Sequence, residues 1–126
     1  MLKILLVEDN ILNQKVVSFH LKKIKYEVIC VNNWQETMEE VKNNPPDLIL
    51  MDIMLPEKNG FEITSEIREY ENQMVKSERI PIIALTANTL DNDKEKCIMA
   101  GMDDYLPKPF TPDELYGIIE QYTVKH

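Results

Sequence analysis

Glycine, cysteine and tryptophan are scarce in this 126-residue chain, at three, two and one residues. A flavin- or nucleotide-binding module needs a first loop rich in Gly, Ser or Thr, whose N–H groups receive phosphate. Here that loop reads Glu8-Asp9-Asn10 and repels an anion. Cys30 and Cys97 lie far apart and form no CxxC pair, so both are expected as reduced core or near-core residues of a cytosolic chain. Positive charge is also in deficit: 14 Lys and Arg stand against 22 Asp and Glu, a net charge of -8. That balance disfavours direct nucleic-acid binding, which rewards clustered basic residues. It suits a cation site and a basic or mixed protein partner. No stretch approaches the roughly 18 apolar residues of a membrane span. The apolar start, Met1 to Val7, is cut short by Glu8 and has no small-residue cleavage site. A cytoplasmic location with no membrane association is therefore expected, and the length suits one domain over residues 1–126.

Strand-like apolar runs alternate five times with helical patterns. The strands are expected at Lys3–Glu8, Val28–Val31, Leu48–Met51, Ile80–Leu85 and Asp104–Leu106. The helices are expected at Ile11–Ile24, Gln35–Asn43, Phe61–Glu71, Asp91–Ala100 and Pro112–Tyr122. Asn10 and Thr111 are the expected N-caps of the first and last helices, and Gly101 the C-cap of the fourth. Val16, Phe19 and Ile24 lie near one stripe of the first helix. Trp34 reads as packing, and the methionines as core filling. The run Asp91 to Lys96 reads as a solvated helix face. Five βα units argue for a parallel sheet covered by helices, with all strand carboxyl ends at one edge.

That geometry gathers Glu8, Asp9, Asp52, Thr86 and Lys108. Clustered carboxylates repel by about 4 kcal/mol per pair near 4 Å at an effective dielectric of 20, so they call for a cation or for raised pKa values. Magnesium fits, since it takes oxygen ligands and commonly uses one or two carboxylates plus phosphate. Asp9 and Asp52 are the expected direct ligands, Glu8 helps through water, and the Met54 carbonyl adds an oxygen. Asp52 also has the chemistry of a phosphoryl acceptor. Lys108 supplies positive charge, Thr86 a hydroxyl, and the small Ala87 leaves room for phosphate. Base rates for X-Pro bonds predict a trans Lys108–Pro109 peptide.

Five segments carry a family resemblance: Leu6-Val7-Glu8-Asp9-Asn10, Asp47 to Asp52, Pro56 with Gly60, Ala84-Leu85-Thr86-Ala87, and Gly101 to Pro109. Through them the chain resembles the receiver domain of two-component response regulators over nearly its whole length. The resemblance implies a flavodoxin-like, doubly wound α/β fold, a five-stranded parallel sheet of order 2-1-3-4-5 with five helices. It implies Asp52 as phosphoacceptor, charged from a phosphohistidine of a histidine kinase or histidine phosphotransfer protein. Glu8, Asp9, Asp52 and the Met54 carbonyl would hold Mg2+, with Mn2+ as a substitute. Lys108 would pair with the phosphate across a cis Lys108–Pro109 bond, Thr86 and Tyr105 would switch, and Ala87 would face the phosphate. Output would pass through the face of the fourth helix, fifth strand and fifth helix. Met54 and Asn88 would tune phosphoryl lifetime. Leu55 and Asn59 depart from the common pattern without touching the chemistry. The Asn10…Asn13 pattern and Pro81 to Asn88 look more like receivers attached to hybrid histidine kinases than those of transcription factors. The chain would act as a switch and not as a turnover enzyme. Two rivals remain on the residues: a phosphohydrolase, which usually has a second Asp where Met54 stands, and a phosphorylation-independent docking module.

Overall fold

Five apolar runs, each five residues or fewer, set the frame. The computed structural model describes residues 1–74, 78–87 and 91–123, with the backbone alone at 91–93. The strands are β1 (Lys3–Val7), β2 (Glu27–Val31), β3 (Leu48–Asp52), β4 (Ile82–Thr86) and β5 (Asp104–Pro107). The helices are α1 (Ile11–Lys23), α2 (Trp34–Asn43), α3 (Gly60–Gln73), α4 (Asp91–Ala100) and α5 (Pro112–Thr123). All strand pairs are parallel, in the order β2-β1-β3-β4-β5. This is the expected flavodoxin-like arrangement. No helix among the described residues is long and apolar enough to cross a membrane.

Strand alternation divides the core in two. Leu5, Val7, Ile49, Met51 and Ala84 pack with Val41 of α2, Ile63 and Ile67 of α3 and Cys97 of α4. Ile4, Leu6, Leu48, Leu50, Ile83 and Leu85 pack with Val17 and Leu21 of α1 and Leu115 and Ile119 of α5. Every residue of β3 and β4 is buried, as a strand covered on both faces requires. Side chains at the helix starts take up backbone donors that have no intrahelical partner. Asn10 accepts from the Asn13 N–H and Asn59 from Glu62, whose side chain answers the Asn59 N–H. Thr111 and Glu114 exchange the same pair of bonds. Gly101 follows α4 with φ 105°, a left-handed turn that glycine adopts without strain.

Three expectations are corrected. The buried stripe of α1 is Val17 and Leu21, spaced i, i+4; Val16 and Phe19 are exposed, and Ile24 is the half-buried C-cap. Cys30 is exposed and only Cys97 is buried, because Cys30 lies on the edge strand β2. Methionine fills the core at Met51 and Met102, whereas Met1, Met54, Met74 and Met99 are exposed. Trp34 does pack, against the α2–α3 side of the core. Lys94, Glu95 and Lys96 are solvated as expected; the side chains at 91–93 lie outside the described residues.

Arg68 ties α3 to the opposite pole of the sheet. Its guanidinium donates to Glu71 (2.7 Å), the Ile80 carbonyl (2.8 Å), Asp103 (2.9 Å) and the Gly101 carbonyl (2.8 Å). Asp103 also accepts the Ile82 N–H at 2.8 Å, and Glu71 the Ile80 N–H at 2.8 Å. The network fixes where β4 starts, two residues later than the apolar run alone suggests.

Candidate phosphoryl-transfer site

Parallel register brings the site together. Val7 pairs with Met51, Asp52 with Leu85 and Thr86 with Pro107, so β1, β3, β4 and β5 end at one edge. The residues after these ends supply Glu8, Asp9, Ala87 and Lys108. Asp52 and Thr86 are the last residues of their strands, one position further in than the sequence pattern alone suggests. Rigid, doubly covered strands therefore hold both.

Carboxylate oxygens of Glu8, Asp9 and Asp52 lie within 4.8 Å of one another, the single grouping of its kind among the described residues. Glu8 is 2% exposed and Asp52 6%, while Asp9 faces solvent. The Lys108 Nζ stands 3.4 Å from Glu8 Oε2 and 3.7 Å from Asp52 Oδ1. The Lys108–Pro109 bond is cis, as the resemblance and not the base rate implies. The Lys108 N–H donates to the Thr86 carbonyl at 2.7 Å, which joins the two strand ends. Burial, more than any other cause, pushes the Glu8 carboxyl above its usual range. The Asp52 hydrogen bond and like charge add to the rise, and Lys108 and the Asn10 N–H oppose it. Three hard oxygen donors with one open side are a donor set that fits magnesium or manganese.

The loop after Asp52 turns sharply. The Met54 N–H donates to Asp52 Oδ1 at 3.1 Å, and the Leu55 and Gly60 N–H groups both donate to the Ile53 carbonyl. A Cβ on Gly60 would lie 2.6 Å from the Asp52 carbonyl oxygen, so the close approach requires glycine. Lys58 in this loop pairs with Glu66 at 2.8 Å and lies 4.2 Å over the Trp34 ring. A cavity of about 820 Å³ opens beside the acids, lined by Asp9, Met54, Phe61, Thr86, Ala87 and Lys96 among others. Thr86 is buried and Ala87 is exposed. Tyr105 is half-buried against the α2–α4 side of the core, one residue before Leu106. Asn88 lies outside the described residues.

Sequence reasoning missed the residues that hold Glu8. Asn10 N and Asn13 Nδ2 donate to Oε1 at 3.2 and 3.3 Å, and Gln14 Nε2 donates to the Glu8 carbonyl. Their signal was the repeated carboxamide at the start of α1. Lys96, on the solvated face of α4, also lines the cavity.

A model of the response regulator receiver domain matches residues 4–120. Hybrid signal transduction histidine kinase B of Dictyostelium discoideum is 44% identical over 128 residues, which is 95% of this chain and 6% of that protein. Histidine protein kinase 1 of Candida albicans is 40% identical over 126 residues, 94% of this chain and 5% of that protein. The chain thus spans a small part of the curated relatives it matches. Among solved structures, the receiver domain of a sensor histidine kinase from Pseudomonas aeruginosa PAO1 carries a magnesium ion in its active-site cleft. It is 42% identical with TM-score 0.85, over 97% of both chains. The receiver domain of a Saccharomyces cerevisiae response regulator, solved with its histidine phosphotransfer protein, is 34% identical with TM-score 0.89, over 97% of this chain and 88% of that one. With the acids, the ammonium and the sheet order already in hand, these matches leave one conclusion: the chain belongs to the response regulator receiver domain family.

Proposed function

We propose that Asp52 accepts a phosphoryl group from a phosphohistidine on a histidine kinase or histidine phosphotransfer protein, and that residues 1–126 act as one phosphorelay switch. One observation carries the reading: Asp52, buried at the end of β3, belongs to a three-carboxylate group and has the Lys108 ammonium 3.7 Å from its oxygen. Asp52 Oδ forms a bond to phosphorus while the donor's N–P bond breaks, and the freed imidazole nitrogen takes up a proton. Glu8, Asp9, Asp52 and the Met54 carbonyl would hold Mg2+, or Mn2+ in its place, which supplies positive charge beside the transferring oxygens. Lys108 neutralises the developing charge from the β5 side. The Thr86 hydroxyl hydrogen-bonds the new phosphoryl group, and the small Ala87 leaves space for it.

The switch follows from the same contacts. The acyl phosphate carries roughly -1.5 to -2 charge where the Asp52 carboxylate carried -1, and it brings three new acceptor oxygens. It draws Thr86 inward, and Tyr105 follows into the space left behind. The altered α4–β5–α5 face then binds a downstream protein. A shift from 1:99 to 99:1 takes about 5.5 kcal/mol of differential interaction, within reach of a few charge-assisted hydrogen bonds. In this reading the chain works in the cytoplasm, binds neither nucleic acid nor membrane, and has no turnover substrate beyond slow loss of its own phosphoryl group.

The test is phosphotransfer from a phosphorylated histidine partner with magnesium titration, on the chain and on Asp52→Asn. Magnesium-dependent gain of one phosphoryl group by the chain, absent in Asp52→Asn, is expected. Stable incorporation at another residue would sink the assignment. Partner binding that ignores the phosphodonor would favour the docking module instead.

A further inference from the structure

We propose that Asn13 is a positioning residue that makes the acidic site select a small octahedral cation over calcium. The inference rests on the metal-binding reading of Glu8, Asp9 and Asp52 given above. Glu8 is 2% exposed, so its carboxylate takes its partners from the protein. Oε1 accepts the Asn10 N–H at 3.2 Å and the Asn13 side-chain amide at 3.3 Å. Oε2 faces the Lys108 ammonium at 3.4 Å, on the side of Asp52. The backbone is pinned as well: Gln14 Nε2 donates to the Glu8 carbonyl and reaches Asn32 Oδ1 at 2.6 Å.

A carboxylate with one oxygen held by two N–H donors has one oxygen left to offer. Magnesium needs no more, since it keeps several waters and takes single oxygens from one or two carboxylates. Calcium collects six to eight oxygens and gains from carboxylates that bind through both. For Glu8 to bind in that way each N–H on Oε1 must give up its hydrogen bond, and every such bond adds to the cost of calcium. Of the two donors on Oε1, Asn10 contributes backbone, and Asn13 contributes a side chain that substitution removes. The Asn13 backbone N–H goes to Asn10 Oδ1 at 2.9 Å whatever side chain follows, so the cap of α1 survives the change.

The experiment is calorimetric titration of the full chain with magnesium chloride and with calcium chloride, for the unaltered protein, Asn13→Ala and the similarly sized Asn13→Leu. Both variants should lower the calcium-to-magnesium ratio of dissociation constants by roughly 5-fold, the worth of one partly exposed hydrogen bond to a charged acceptor. Their metal-free melting temperatures should fall by about 3–6 °C, because the same hydrogen bond is lost there. If the parent binds magnesium selectively and the ratio is unchanged in both variants, the role of Asn13 is overturned and the site reading stands. A parent that binds neither ion overturns both.

Discussion

Lys108→Met should move two properties of the site in opposite directions. The ammonium lies 3.4 Å from Glu8 Oε2 and 3.7 Å from Asp52 Oδ1. At an effective dielectric of 20 these are gross attractions of about 5 and about 4.5 kcal/mol. Carboxylate pairs no more than 4.8 Å apart repel by about 3.5 kcal/mol or more on the same scale. Lys108 thus offsets a large part of the repulsion in the metal-free protein. It also competes with a divalent ion for the same two oxygens, and it repels that ion once bound. With the Lys108 side chain 26% exposed, solvent screening reduces these figures severalfold. We expect Lys108→Met to lower metal-free stability by about 1–3 kcal/mol in urea unfolding. Magnesium should bind roughly 10-fold tighter by calorimetry, because the competitor is gone. Phosphotransfer to Asp52 should nevertheless fall by roughly 100-fold or more, since the transferring group loses its cation. Unchanged or weaker magnesium binding together with unchanged stability would refute the reasoning, for the ammonium would then be bystander to both oxygens.

Further outcomes follow from Glu8, Arg68 and Gly60. Magnesium and a proton compete for Glu8, whose carboxyl sits above the ordinary value of 4.5, so affinity should begin to fall at a higher pH than for an unperturbed Glu, and Glu8→Gln should remove that limb. The metal-free protein should respond with the opposite sign: the native state takes up the Glu8 proton more readily than the unfolded chain, so this residue's contribution to stability grows as pH falls through the raised value toward 4.5. Arg68→Met removes four hydrogen bonds and takes the guanidinium from Glu71 and Asp103, the latter still paired with Arg79 at 3.0 Å; a loss of about 2–4 kcal/mol is expected in denaturant unfolding, and a loss below about 1 would contradict the network. Gly60→Ala forces a Cβ to within 2.6 Å of the Asp52 carbonyl oxygen, so stability should drop by about 1–3 kcal/mol and phosphotransfer with it, whereas Gly117→Ala, with open space around it, should leave both intact.

The parallel sheet and the assembled site are legible because their signals are local, whereas the strand order is implied only by the family resemblance. Apolar runs such as Leu48 to Met51 end in an acid, and the rule for right-handed crossovers then carries Asp52, Glu8, Asp9, Thr86 and Lys108 to one edge. The buried face of α1 was not legible, because Ile11, Leu12, Val16, Val17, Phe19 and Leu21 offer two apolar stripes and only packing chooses between them. Val17 and Leu21 face the sheet, and Ile11, Leu12, Val16 and Phe19 remain exposed. The Arg68 network was invisible for a different reason: its partners lie up to 35 residues away in sequence, and no periodicity connects them. Asn13 belongs to a sequence pattern whose chemistry shows only in the contact of its amide with Glu8.

Trp34 is the chain's sole indole, and the Lys58 ammonium stands 4.2 Å above it. Lys58 belongs to the short loop that leaves Asp52 and enters α3 at Gly60. Any event that shifts this loop changes the electric field on one chromophore. The protein therefore carries a built-in optical gauge of its own reaction centre: emission from Trp34 should change colour or brightness when a cation or a phosphoryl group arrives, with no dye attached, and Lys58→Met should blunt the signal.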